Sequence, residues 1–233
     1  MAISLNKGQG VSLKKNEYDL SRVTIGLGWD VAETTRFEEH VIQKPKNGVA
    51  GLFGGKTKVT EQVEVIDEYD LDVIAFLIGE NGKVNDLGTI DNGRSTLRNG
   101  DVVFYNNLKH HSGQIHLTGD NRTGDGDGDD EQIIANLNAI PDRYVKILFV
   151  VQIYNGIELK QNFSKVRNAF IRAVDAKDKE MARFDLSGDA SYANYCSLTF
   201  AELVREGKGN WKFNAIGTPH ETDAFARILK DYV

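Results

Sequence analysis

Residues 71–78 read Leu-Asp-Val-Ile-Ala-Phe-Leu-Ile, and Val73 to Ile78 within them form the longest unbroken apolar run of the chain. Spanning a bilayer by a helix takes roughly 20 such residues, so a run this short reads as a buried strand. Eight further segments rich in β-branched or alternating apolar residues surround it: Val23–Trp29, Asp101–Tyr105, Gln114–Thr118, Val145–Tyr154, Ala169–Val174, Ala182–Leu186, Leu198–Val204 and Trp211–Ile216. Short strands separated by turn residues predict an all-β fold, an antiparallel β-sandwich. Helical spacing is scarce. It predicts two short helices, over Glu131–Ala139 through Ile133, Ile134 and Leu137, and over Thr222–Tyr232 with Thr222 as cap.

The bulk composition agrees with one domain. At 233 residues, 40% hydrophobic and 27% charged, disorder, collagen and coiled coil are excluded. Only three prolines accompany 23 glycines, so turns rely on glycine, as in Glu80-Asn81-Gly82-Lys83 and Asn155-Gly156. No repeat of solenoid or propeller period is present. The segment Gln43–Lys58 carries four Gly, four Lys and no acid, the composition of a mobile loop, and marks an inserted loop at about residues 40–62. The opening residues MAISLNKGQGVSL lack the basic end and apolar core of a signal peptide, and Cys196 is the sole cysteine. A single cysteine allows no internal disulfide, so the expected location is cytoplasmic, without direct membrane insertion.

Charge is uneven. Of a net charge of −6, a local net of five negative charges falls within Asp120–Glu131, where Asp120, Asp125, Asp127, Asp129, Asp130 and Glu131 face Arg122 alone. This balance excludes a phosphate-backbone binder, so no nucleic acid is expected. Residues 119–131 read GDNRTGDGDGDDE. Carboxylates packed this densely in a glycine-rich stretch need either full solvation or a counter-ion. Oxygen-only ligands on a backbone that glycine lets curl favour a hard cation, calcium above all, and disfavour zinc or copper. The stretch is not an EF-hand. With Asp120 as position 1, Glu131 falls at 12, but Arg122 and Gly124 stand where ligands are required. The alternative is a solvated acidic loop.

Several motifs in order carry a likeness: VTIGLGWD (Val23–Asp30), DLD (Asp70–Asp72), FYNN (Phe104–Asn107), GDNRTGDGDGDDEQI from Gly119, QNFSKVRNAFIRAVD (Gln161–Asp175), ARFDLS (Ala182–Ser187) and WKFNAIG (Trp211–Gly217). Together they resemble the TerD family of tellurium-resistance and general stress proteins, from Ile3 to the C-terminus and interrupted mainly by Glu38–Asp67. The resemblance implies a calcium-binding β-sandwich of bacterial stress operons, with no established catalytic mechanism, and the wider family is held to include cyclic-nucleotide binders. Carried over by motif, the metal ligands are Asp120, Asn121, Thr123, Asp125, Asp127, Asp129, Asp130 and Glu131, with Asp30, Asp70, Asp72 and Asn107 on the family's other acidic and amide positions. Asp70 and Asp72, two apart, point to one side of a strand, and Asp30 ends another. Such loops at one end of a sandwich would complete two calcium shells.

The resulting expectation is a calcium-binding, non-catalytic module of a stress-resistance assembly, whose partners are other proteins of the same operon, one of them membrane-bound. The rival classes are a nucleotide-binding module and a metal-dependent phosphoester hydrolase. Other motifs weigh less. AGLFGGKT (Ala50–Thr57) is a relaxed phosphate-loop match without the flanking strand and helix such a loop needs. His110, His111 and His116 fit no zinc spacing, and Cys196 reads as a small buried hydrophobe. RNAFIR (Arg167–Arg172) reads as a strand with wet polar ends.

Overall fold

The computed structural model describes residues 3–31, 35–45, 54, 56–66, 69–118, 128–186, 190–207 and 209–233. In chain order the strands are β1 (Ile3–Leu5), β2 (Gly10–Leu13), β3 (Val23–Val31), β4 (Thr35–Pro45), β5 (Lys56–Ile66), β6 (Leu71–Gly79), β7 (Ile90–Asp91), β8 (Arg94–Ser95), β9 (Val102–Val103), β10 (Ile115–Thr118), β11 (Glu131–Ala135), β12 (Tyr144–Ile153), β13 (Val166–Val174), β14 (Glu180–Asp185), β15 (Ser197–Arg205) and β16 (Trp211–His220). A single α-helix, α1 (Phe225–Leu229), follows. The fold is all-β.

The chain divides into two compact units. One comprises residues 1–31 and 69–233, the other residues 32–68. The larger holds two six-stranded sheets, ordered β1-β14-β13-β3-β11-β10 and β2-β16-β15-β12-β6-β9. All neighbours are antiparallel except β1 and β14. The smaller unit is the hairpin of β4 and β5, paired from Thr35↔Ile66 to Pro45↔Lys56. The segment read as a mobile inserted loop therefore contributes residues 43–45 and 56–58 to a strand pair. The β-branched alternation of β5 outweighs its lysines, because both arms bond to each other along their length.

The two sheets close over one core that includes Ile25, Leu27, Trp29, Phe149, Trp211 and Phe213, all at most 2% exposed. Burial of this kind supplies the main stabilisation of the sandwich. β6 explains its own apolar run: Val73, Ala75 and Leu77 enter that core, while Ile74, Phe76 and Ile78 enter a second cluster with Val102, Phe225 and Leu229. Covered on both faces, it has no polar side to alternate with.

Two helix expectations change. Glu131–Ala135 is a strand inserted between β3 and β10, with Glu131, Ile133 and Ala135 buried in alternation. The vacant ladder between two strands and two β-branched isoleucines favour the extended form over the local 3.6-residue pattern. The C-terminal helix is shorter than 222–232, starting at Phe225 with Ala224 as a cap that makes no side-chain bond. Thr222 Oγ1 instead accepts from Ala224 N–H at 3.0 Å, closing a local turn before the helix. At Asn155-Gly156 the chain turns without forming a hairpin, because β12 pairs with β6 and β15 rather than with the strand that follows.

Candidate metal centre

Three stretches of chain bring carboxylates to the end of the sandwich where β6 begins. Asp30 lies near the end of β3, Asp70 and Asp72 at the start of β6, and Asp129, Asp130 and Glu131 at the entry to β11. Hydrogen bonds within and between the sheets hold them there. Asp130 Oδ2 accepts the Trp29 backbone N–H at 2.8 Å, and the Trp29 indole N–H donates to Tyr69 O at 3.3 Å. Glu131, 2% exposed, reaches across to the opposite sheet, where its Oε2 accepts the Val73 N–H at 2.6 Å. β9 pairs only with Ala75 and Phe76, so the edge of β6 at Val73 is open to this carboxylate. Asp72 is buried and its Oδ2 accepts from Gln152 Nε2 at 3.0 Å. Asp30 is exposed and takes Asn168 Nδ2 at 2.5 Å, across a bulge of β13 that gives Asn168 a positive φ of 49°.

Two glycines make room for Gly128 and Asp129 at the entry to β11. Gln132, Gly26 and Arg172 lie side by side on β11, β3 and β13, and the Asp129 carboxylate sits above Gly26 between its neighbours. Arg172 Nε donates to its Oδ1 at 2.7 Å, and Gln132 Nε2 to its Oδ2 at 3.2 Å. A Cβ on Gly26 would stand 2.1 Å from the Asp129 carboxyl carbon, and one on Gly28 2.4 Å from the Phe170 ring and 2.6 Å from Gly128 O. The GLG of VTIGLGWD thus clears a path over the sheet, while Ile25, Leu27 and Trp29 face the core. Sequence reasoning missed Arg172, Gln132 and Gln152, because their roles follow from strand register. The glycines at 26 and 28, interrupting a β-branched strand, were the available signal.

Other expected ligands fall differently. Asp120, Asn121, Thr123, Asp125 and Asp127 lie outside the described residues. Asn107 uses both ends of its amide within its own loop, donating to Val102 O at 2.6 Å and accepting Asn99 N–H at 3.1 Å. Arg172, read as a wet strand end, bridges Asp129 and Glu180.

A second grouping, Asp101, His110 and His111, places ligand atoms within 4.8 Å of one another at the far end of β6. Its ring nitrogens are already used. His110 Nδ1 accepts the Ser112 N–H at 3.1 Å, so Nε2 carries the hydrogen facing Asp101 at 3.2 Å. His111 meets Asn99 O through Nδ1 and Arg143 through Nε2. Tyr144 OH donates to Asp101 at 2.5 Å. Burial opposes the charge of Asp101, but bonds from His110, Tyr144 and the Asp86 N–H outweigh it and hold the carboxyl below its ordinary pKa. This is a closed hydrogen-bond network. Cys196 is buried, with burial and Asp223 raising its thiol pKa, as befits a core residue.

An all-β sandwich with an oxygen-rich acidic end defines the class of protein, and comparison with known chains gives the family. Residues 1–232 match the TerD domain, and the chain belongs to the TerD family of tellurium-resistance and stress-response proteins. It is similar to the tellurium resistance protein TerX of Serratia marcescens, 58% identical over 233 residues covering all of both chains. It is also similar to stress response protein SCP2 of Bacillus subtilis (strain 168), 35% identical over 239 residues with full coverage of both. Its fold matches the crystal structure of a telluride-resistance (TerD) homologue from Streptomyces coelicolor A3(2), with a TM-score of 0.55 at 18% identity, covering 88% of this chain and 94% of that one. Those relatives carry the names of resistance and stress proteins rather than of enzymes. Among the described residues, no helix is long and apolar enough to cross a membrane.

Proposed function

We propose that the acidic end of this sandwich binds calcium, as two ions, and that the protein acts as a non-catalytic calcium-dependent module of a cytoplasmic stress-resistance assembly. The observation that carries the reading is the convergence of Asp30, Asp70, Asp72, Asp130 and Glu131 from three stretches of chain onto one end, tied together by Trp29, Tyr69 and Val73. The donor set is oxygen throughout, which suits a hard cation. Asp72, Asp130 and Glu131 would hold the ions from the folded side, and Asp120, Asn121, Thr123, Asp125 and Asp127 from the loop. Asp129, gripped at both oxygens by Arg172 and Gln132, serves as the anchor from which that loop departs. Bound calcium would supply charge neutralisation, allowing the carboxylates to share one small volume.

Family membership supports a role alongside products of the same operon, including a membrane-bound one, with the ordered loop as the contact surface. The test is linkage. Calcium at about one hundred times its dissociation constant should stabilise the fold by about 2.7 kcal/mol for each ion bound. The combined variant Asp125→Ala, Asp127→Ala should lose that increment while folding normally in EDTA. A denaturation midpoint that calcium leaves unchanged in the parent protein contradicts the reading.

A further inference from the structure

Beside the acidic end, and separate from its carboxylates, lies a cleft of about 360 Å³ lined by Phe104, Tyr105, Gln152, Tyr154, Asp223 and Phe225 among others. Volumes of this order accommodate small ligands. Its walls are aromatic and steeply inclined. Phe104 and Tyr105 stand edge to face at 5.3 Å, Tyr105 and Tyr154 at 6.3 Å, and Phe104 and Phe225 are tilted at 5.2 Å. Tyr154 is 44% exposed at the mouth, whereas Phe104 and Phe225 are buried at the back. Among the described residues, no lysine or arginine lines the cleft, and Asp223 is its one acidic residue.

The electrostatics have one sign. Gln152, which lines the cleft, donates through Nε2 to Asp72 Oδ2 at 3.0 Å, so the acidic end lies directly behind this wall. Elsewhere the protein's own cations sit over aromatic rings: Lys7 over Tyr192, Arg143 over Tyr144, Lys179 over Tyr18, Arg183 over Phe170 and Arg205 over Trp211. Among the described residues no such cation covers Phe104, Tyr105, Tyr154 or Phe225. Several aromatic rings around one cleft, with a carboxylate and no competing positive charge among the described residues, are the chemistry that selects an organic cation.

We propose that this cleft binds a small alkylammonium ion, its alkyl groups against the Tyr105, Tyr154 and Phe104 rings and its charge toward Asp223. Metal binding is not required, because the walls are set by the aromatic packing and by Gln152, whose Oε1 accepts the Phe225 N–H at 2.8 Å.

The test is a titration of the EDTA-treated protein with choline, followed through the ring-current shift of its trimethylammonium protons, against the neutral isostere 3,3-dimethylbutan-1-ol. Choline should bind saturably in the millimolar range or tighter and at least about tenfold better than the isostere. Tyr154→Phe should keep the affinity and Tyr154→Ala should lose about tenfold, at a position exposed enough to leave folding intact. Asp223→Asn, which retains the acceptor that Asp223 Oδ2 offers the Ile157 N–H, should weaken choline and leave the isostere unchanged. Equal binding of the two probes, no saturation by choline, or insensitivity to both Tyr154→Ala and Asp223→Asn would overturn the proposal. Calcium titrations of the same variants should match the parent, so failure here and failure of the calcium reading are separable.

Discussion

The two ends of β6 carry two different kinds of carboxylate cluster. Where the strand ends, near Leu77, Asp101 meets an imidazole, a phenol and a backbone N–H, and the two histidines beside it have both ring nitrogens occupied. Where the strand begins, carboxylates from β3, β6 and the entry to β11 gather, oriented by the Trp29 and Val73 N–H groups and by the Gln152 and Asn168 amides. Both ends carry ligand-type residues, but among the described residues only Asp101, His110 and His111 place three ligand atoms within 4.8 Å of one another. What separates them is donor chemistry: nitrogen donors inside the first cluster complete it internally, whereas the second is an all-oxygen set adjoining a dense run of further acids.

The comparison breaks most readily at its closed end. Asp101→Ala leaves three donors facing a cavity and should cost about 3–5 kcal/mol, by urea denaturation, equally in calcium and in EDTA. A dependence of that loss on calcium would mean the two ends are not distinct. Gly26→Ala should cost about 1–3 kcal/mol by displacing Asp129 from between Gln132 and Arg172, and should also weaken calcium binding, read by calorimetry. Unchanged calcium binding would detach the Asp129 anchor from the site.

Acid should separate the same groups by pH. Asp101 and Asp175 have depressed pKa values in the fold, Asp175 because backbone N–H bonds from Lys179, Asp19 and Lys177 outweigh its burial. The unfolded chain takes up their protons first, so stability present above the ordinary carboxylate value of 3.8 is lost as pH falls through the lower folded values. His220 is also depressed, mainly by burial, so an earlier, shallower loss begins as pH falls below 6.5. Thermal midpoints across this range in EDTA should show both stages, and His220→Gln should reduce the first, to which His116, also depressed mainly by burial, contributes. The smallest effect is at Asp30→Asn, an exposed position: stability should move by at most about 0.5 kcal/mol, while calcium affinity, read by calorimetry, should fall.

Much of this was legible in the sequence, for specific reasons. Nine strand segments were readable because β-branched alternation and sandwich packing agree, and the doubly covered β6 announced itself as the longest run without alternation. Glu131–Ala139 misled because helical spacing in nine residues is also met by chance, and only the empty ladder between β3 and β10 decides for a strand. β4 and β5 were obscured by the glycine and lysine of their connecting tip. In the site, acid density pointed to Asp129–Glu131. The sequence did not separate Asp129, clamped by an arginine two strands away in the sheet, from Glu131, which crosses to the other sheet. Nor did it distinguish Asn107, whose amide is spent within its own loop.

The most direct measurement is a calorimetric calcium titration of the EDTA-stripped protein, repeated with magnesium in excess. The account requires saturable binding of two calcium ions that persists in magnesium, since a site built for six to eight flexible oxygen ligands excludes the smaller octahedral ion. No binding heat, or binding abolished by magnesium, would contradict it and leave the acidic end of the sandwich as a solvated loop.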